Sequence, residues 1–494
     1  MKKIISLIGI LVGISTVQAQ YVTDALRFSQ NFPTLTARSI SMGGAFTSLG
    51  GDFASSYVNP AGLGLYRKSE LSFTPSLSLA KTTADYIGQD NSDYKNQFAI
   101  SNFGYVGTYR SNRDKGLVSA SYAIGYNRLQ NFNNSTIIRG TNQNSSYSDY
   151  FVDDANNNYL TPEELNFFGA RLLYDAWVID TLDYIDYYES LVPLPIDQYR
   201  KISSKGGIGE WSFAFGLNFS DRLYFGMGLG ITQLKYEQHV LHSETNYDTY
   251  YSFRSFDMDE DLDVEGTGIS LKLGLTARIT EGLRIGTTLN LPTFYRISEE
   301  YYSTVYSVYD NETYYKVPTD NDNQELGPGV FEYKLNTPLK LAAGLSYQIG
   351  KAGIITGDVE YVDYASMKMR NDDDFNYPGD RATVDRTNSD IEDVYCAVLN
   401  LKLGGELRFG NFAVRAGGGY YPSPYVSGEM NEDASYTMIS SGVGYRNNNF
   451  FFDMGFSGIF HKEKYNLYTS ANRNNIASLN QPTYRFLTTV GFRF

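Results

Sequence analysis

The last eleven residues, "YRFLTTVGFRF", alternate with a period of two. One parity carries Tyr484, Phe486, Thr488, Val490, Phe492 and Phe494, and the other Arg485, Leu487, Thr489, Gly491 and Arg493. Successive side chains of a strand point to opposite faces, so this segment offers one face to lipid and the other to a polar interior. The same period returns in "LKLAAGLSYQI", where Leu339, Leu341, Ala343, Leu345, Tyr347 and Ile349 share a face, and again in "GIITGDVEY" after the short turn "GKAG". Soluble sandwich strands average about five or six residues. Longer alternating strands with Tyr near their ends and an aromatic final residue predict a closed transmembrane barrel.

Candidate strands begin near Glu70, Phe98, Gly116, Ile208, Leu223, Val264, Leu283, Val330, Gly353, Val394, Phe412, Ser435, Phe450 and Tyr484. The expected fold is therefore an all-β, 14-stranded antiparallel transmembrane β-barrel, an even number that brings both ends to the periplasmic side. In "VRAGGGYY", Arg415, Gly417 and Gly419 are expected to face inward.

The N-terminus points to the same compartment. Lys2 and Lys3 precede an apolar run from Ile4 to Val17, and "VQA" ends at Ala19, so residues 1–19 read as a cleaved signal peptide. Cys396 is the only cysteine, which excludes an internal disulfide and a lipid anchor on a cysteine at the cleavage site. Without Lys2 and Lys3, 39 of the 41 basic residues remain against 55 acidic ones, a balance that opposes nucleic-acid binding. The acidic runs "DMDEDLDVE" (Asp257 to Glu265) and "NDDDF" (Asn371 to Phe375) read as solvated loops.

Between the third and fourth strands, residues 131–207 form a long extracellular insert. Leu165, Phe168, Leu172, Ala176 and Ile179 have helical spacing, Thr161 suits an N-cap, Pro162 the first helical position and Glu164 a capping box. The insert is either a structural lid or a surface that gathers ligand. Just ahead of this helix, Asp153, Asn157, Thr161 and Glu164 occupy calcium-loop positions, although Ala155 and Asn158 depart from that pattern. A polar turn leading into a capped helix is the preferred reading, and no metal site or cofactor is expected. His239 and His242 should face opposite sides of one strand, and His461 stands apart, so catalytic chemistry finds little support and no enzyme is expected.

Ahead of the first strand, residues 20–68 are small and largely uncharged. Ala37-Arg38, Met42-Gly43-Gly44-Ala45, Asp52 and Asn59-Pro60-Ala61-Gly62 resemble the N-terminal signature of the FadL/TodX family of outer-membrane transporters of long-chain fatty acids and other hydrophobic compounds. "NTPLKLAAGLSYQI", "GDVEYVDYAS", "AVRAGGGYYPSPY" and the Phe-rich terminal strand follow in the corresponding order, so the resemblance spans the mature chain.

The resemblance implies a hatch, residues 20–68, that plugs a barrel of residues 69–494. Ligand would bind beneath the extracellular loops and leave sideways through the wall. Gly43, Gly44, Asn59, Pro60, Ala61 and Gly62 are the hatch-motif residues, and the Asn59 amide is expected to hydrogen-bond the wall. Met42, Phe46 and Phe53 are ligand-contact candidates by residue type and segment. The expected function is passive transport of hydrophobic compounds across the bacterial outer membrane by a monomer. Expected partners are a hydrophobic small molecule, outer-membrane lipids and, through the C-terminal strand, the barrel-assembly machinery. A general porin, an adhesion barrel and a haem receptor are the alternatives.

Overall fold

The structure is a computed structural model that describes residues 14–181, 187–371, 378–471 and 473–494. One antiparallel sheet closes on itself as fourteen staves. They are β1 (Glu70–Tyr86), β2 (Gln89–Arg110), β3 (Leu117–Asn131, continuing as Asn134–Asn142), β4 (Ile196–Phe219), β5 (Leu223–Thr245), β6 (Phe253–Arg278) and β7 (Leu283–Asn290, continuing as Phe294–Tyr309). The ring goes on through β8 (Gly329–Asn336 and Lys340–Ile349), β9 (Gly353–Asp363 and Lys368–Asn371), β10 (Ala397–Phe409), β11 (Phe412–Tyr421), β12 (Tyr436–Arg446), β13 (Phe450–Ser470) and β14 (Arg473–Asn480 and Thr483–Arg493). Pairing of Glu70 with Arg493 closes it, and Ser69 and Phe494 exchange backbone hydrogen bonds at the seam of the two ends. Closure leaves the ladder without a free edge at the two ends of the barrel, which is what hydrocarbon surroundings demand.

The alternation sorts as the sequence predicts. On β5, Leu223, Phe225, Met227, Leu229 and Ile231 are exposed, whereas Tyr224 and Thr232, on the other parity, are buried. On β14, Arg485, Leu487 and Thr489 are buried inside while Phe486 and Phe492 face out. A continuous apolar outer band around a polar, filled interior makes this a membrane-spanning barrel. Arg415 is buried inside, and the space above the Gly417 backbone is taken by Met42 and Gly43, as its inward position requires.

Several staves begin earlier than the alternation suggests: β2 at Gln89 rather than Phe98, β4 at Ile196 rather than Ile208, and β6 at Phe253 rather than Val264. The cause is that β4, β5 and β6 run for 24, 23 and 26 residues, whereas about 9–11 residues cross the hydrocarbon. Beyond the apolar band their outer face turns polar, and the signal that marks a membrane strand disappears. "DMDEDLDVE" is accordingly strand, not loop: Asp257 to Glu265 lie within β6, with Asp261, Asp263 and Glu265 paired across to β5. Asn371 ends β9, and Asp372 to Phe375 lie outside the described residues.

The insert folds differently from the single helix expected. Helix α4 (Ser148–Asn157) comes first, Pro162–Glu164 is one 3-10 turn, and α5 (Ala170–Asp175) is short. Thr161 and Glu164 do form the capping box, but the turn stops at Leu165, whose backbone is extended. Tyr147, Phe151, Leu172, Leu173, Ile179 and Tyr188 then pack on Phe256, Val305 and Leu467 of the long staves and roof the extracellular end. A further helix, α6 (Pro378–Val394), lies in the β9–β10 connection.

Candidate functional site

The chain from Gln30 to Tyr66 threads the lumen. It carries α2 (Ala37–Ser41), α3 (Ser55–Val58) and a 3-10 turn over Pro60–Leu65. Thr36 caps α2 by accepting from Ser39 N and donates its own hydroxyl to Asp52 at 2.7 Å. The segment is small because the wall is close. An added Cβ at Gly226 of β5 would stand 2.1 Å from the Pro60 carbonyl carbon, and one at Gly274 of β6 would stand 2.0 Å from Asn59 Oδ1. Gly43 and Gly44 take positive φ, 66° and 71°, to turn the chain against β10 and β11.

Asn59 is the hinge of this arrangement. Its backbone is extended, as a residue before proline prefers, and its Oδ1 accepts from Ala61 N at 3.0 Å, capping the turn. Its Nδ2 donates to Thr47 O at 2.6 Å within the plug and reaches Thr276 Oγ1 at 3.3 Å and Thr287 O at 3.4 Å on the wall. One buried amide thus replaces water on both sides of the plug–wall boundary. Further wall contacts are Thr47 N to Asp358 Oδ2 (2.8 Å), Ala37 N to Thr489 Oγ1 (2.8 Å) and Gly43 N to Ser440 Oγ (3.0 Å).

A charged clasp holds the same segment. Arg38 Nε donates to Glu406 Oε2 at 3.1 Å, and Arg415 Nε reaches the same oxygen at 2.7 Å. Arg415 Nη1 continues to Asp453 (2.6 Å), which also receives Arg446 (3.0 Å). These groups are nearly all buried, so their charges are paired where desolvation would otherwise be prohibitive.

Above the plug, α1 (Ile14–Ser29) sits in the extracellular half of the barrel. Residues 1–13 of the expected signal peptide lie outside the described residues, and its remaining residues from Ile14 enter α1. Val22, Ala25, Leu26 and Phe28 fill an apolar chamber walled by Phe132, Leu234, Tyr236, Ile297, Leu335 and Ile391 among others. Asp24 pairs with Arg27, whose guanidinium lies 4.6 Å over the Tyr236 ring. Glu299, on the β7 extension where the outward neighbours Ser298 and Glu300 are polar, accepts from Tyr333 at 2.5 Å. Burial, reinforced by Asp24, pushes the Glu299 carboxyl up to about 8.

Between the plug and the wall, where Ser29 ends α1 beside Lys340, is a cavity of about 70 Å³. Phe32, Leu35, Ile40 and Tyr57 give it apolar walls, and Lys340, Lys402 and Arg485 bring three cations against Glu360. Lys340 Nζ donates to Ser29 O at 3.2 Å, and Lys402 lies 3.5 Å from Glu360.

The wall itself has a seam. β2 pairs with β3 only from Asn102 to Arg110, and β3 then turns to β4, so among the described residues Gln89–Ser101 has no backbone partner on that side. Ser135 donates to Asp93 across it at 2.6 Å, and Thr82 of β1 reaches past β2 to Asn134 at 2.9 Å. The plug meets this place: Thr34 N donates to Arg128 O at 2.9 Å. Through Leu77, exposed Phe98 at the lower end of the seam is level with lipid-facing Phe486.

The six hatch-motif residues all lie in the segment that threads the lumen, and the ligand candidates in that segment lie in separate clusters. Met42 and Phe46 are sealed in one cluster with Leu35, Leu49 and Ala54, and Phe53 in another with Leu63, Tyr66 and Val106. None of the three lines the cavity; they are the plug's own core, which is why apolar residues occur there. Of the calcium-loop candidates, Asp153 and Asn157 lie in α4, Asp153 accepts from Ala471 N, and the Glu164 carboxylate turns back on Thr161. The loop geometry is therefore replaced by helix.

His239 and His242 do face opposite sides. His239 is 2.9 Å from Asp261 on the outer face. His242 is buried 3.1 Å from Glu244, whose other oxygen takes the Ser146 hydroxyl, so serine and histidine each bond the carboxylate rather than one another.

No family model matches the chain, and comparison with curated proteins finds no match. Solved structures do match. The Pseudomonas putida toluene transporter TodX aligns over 93% of this chain and 98% of its own, with TM-score 0.54 and 10% identity. A Pseudomonas aeruginosa FadL homologue aligns over 94% and 99%, with TM-score 0.54 and 11% identity. The Ralstonia pickettii toluene transporter TbuX aligns over 93% and 98%, with TM-score 0.52 and 15% identity. At these identities the likeness is one of fold, and the fold of this chain is that of the FadL and TodX barrels.

Proposed function

We propose that this chain is a passive outer-membrane transporter of hydrophobic compounds, gated by its N-terminal plug. The observation that carries the reading is the apolar chamber above the plug, filled by α1 and ending on a cavity whose cations suit an acidic head group. A hydrophobic molecule with a carboxylate end, such as a long-chain fatty acid, would take the place of α1 with its chain and meet Lys340, Lys402 and Arg485 with its head.

Release of Thr34 from Arg128 would then free the seam beside β3, giving the cargo a route sideways into the membrane. The gradient of the cargo drives this transfer, with no ATP and no covalent step. A lumen filled by residues 30–66 is the reverse of the open charged constriction that a general porin needs.

Uptake of labelled fatty acid and of labelled toluene by cells lacking this chain, and by the same cells supplied with it, tests the reading. Faster uptake of at least one of the two with the chain present is the expected result. Equal rates for both compounds would remove the proposal.

A further inference from the structure

The outer wall carries a groove apart from the lumen. It lies across β2, β3 and β4 near their periplasmic ends, holds about 350 Å³, and is lined by Tyr105, Tyr109, Tyr122, Phe215 and Leu217. Gly107 creates its floor: an added Cβ there would stand 2.5 Å from the Tyr122 ring, so only a bare backbone lets that ring lie along the wall. Tyr105 packs edge-on against Tyr122 at 5.9 Å. These residues face lipid, at the aromatic belt that marks the boundary between hydrocarbon and head groups.

Directly below hang two turns that are tied together. Gly116 N donates to Ser220 Oγ at 3.0 Å, and Ser220 N to Gly116 O at 2.9 Å. They present Arg113, Lys115 and Arg222, all exposed and none in an ion pair among the described residues. The nearby carboxylates are Asp114 in the same turn and Asp221, which faces Arg67 at 3.8 Å. This local excess of cations stands on a chain whose net charge is −14. Arg222 directly precedes lipid-facing Leu223, which sets these charges at head-group depth.

We propose that this groove and its basic rim form a binding seat for one anionic phospholipid of the periplasmic leaflet. The acyl chain lies along Tyr122, Phe215 and Leu217, and the phosphate meets Arg113, Lys115 and Arg222 of the turns. A flexible chain fits a shallow apolar groove, and basic residues beside an apolar surface attract anionic lipid over zwitterionic lipid. The seat is independent of what the lumen carries.

The test is native mass spectrometry of the full chain in detergent, given equal amounts of phosphatidylglycerol and phosphatidylcholine with identical acyl chains. The wild type should retain one phosphatidylglycerol, in preference by roughly tenfold. Combined Arg113→Gln, Lys115→Gln and Arg222→Gln should abolish that preference, and Ala120→Trp, which fills the groove, should reduce retention of both lipids. Each variant changes only side chains on the outer wall or in the turns, and heat-dependent gel mobility reports that its barrel is folded. Excess soluble glycerophosphate should leave the lipid in place. Equal retention of both lipids by the wild type, an unchanged preference in the triple variant, or displacement by glycerophosphate would each overturn the proposal.

Discussion

Asn59 of the plug and Thr276 of the wall meet at 3.3 Å, amide to hydroxyl, where a bare glycine at 274 leaves just enough room. Asn59→Ala removes that donor together with its bonds to Thr47 and Thr287. The loss should cost on the order of 1–3 kcal/mol of plug docking, because buried acceptors on both sides lose their partner. Single-channel recording in a planar bilayer should show raised ion leakage, and an unchanged conductance would remove Asn59 from the gate.

The wall side of the same contact is tested by Gly226→Val. Its Cβ would overlap the Pro60 backbone, and overpacking of this kind costs about 1–3 kcal/mol. The barrel should still fold, as its heat-dependent gel mobility reports, while conductance rises as it does for Asn59→Ala.

The clasp predicts an asymmetry. Glu406 serves Arg38, Arg415 and Arg408, so Glu406→Gln leaves three cations without their shared partner. Breaking a buried pair in this way costs about 3–5 kcal/mol. Arg38→Met leaves Glu406 still paired with Arg415 and should cost clearly less. Denaturant midpoints of the two variants, compared in one detergent, give the order directly.

Docking of α1 should depend on pH. Glu299 faces Asp24 and Arg27 on α1 and Tyr333 on β8, and burial is the main cause of its raised carboxyl pKa, about 8. A folded value above the free one means that the docked state holds the proton more tightly. Docking is then strongest below the ordinary carboxyl range, weakens as pH rises towards 8, and levels off above it. A spin label at Val22→Cys, in a Cys396→Ala background, should be more mobile near pH 8.5 than near pH 5. Glu299→Gln should flatten that change, and a pH response that survives the substitution would assign it elsewhere.

The membrane-crossing parts of the barrel were legible because lipid enforces strict alternation, as Phe486 and Arg485 show from adjacent positions. The segment that threads the lumen stood out in the sequence by its small residues and by Asn59-Pro60. The staves above the membrane were not, since Asp261 and Glu265 on an outward face look like loop residues until their β5 partners are known. Met42, Phe46 and Phe53 misled for a related reason: an apolar side chain in a plug serves the plug's own core before it serves a ligand. Lys340, Lys402 and Arg485 were within reach, because each occupies an inward parity where a charge needs a reason.

The central claim, that the plug must move for cargo to pass, is tested most directly by tethering it. Ser41 of α2 lies against Gly442 of β12, where an added Cβ would stand 2.8 Å from the Ser41 Cβ, close enough for a cross-link after slight relaxation. With Ser41→Cys and Gly442→Cys in a Cys396→Ala background, uptake of labelled fatty acid should stop when the pair is oxidised and return on reduction. Uptake that continues at the reduced rate through the oxidised, tethered chain would contradict the account.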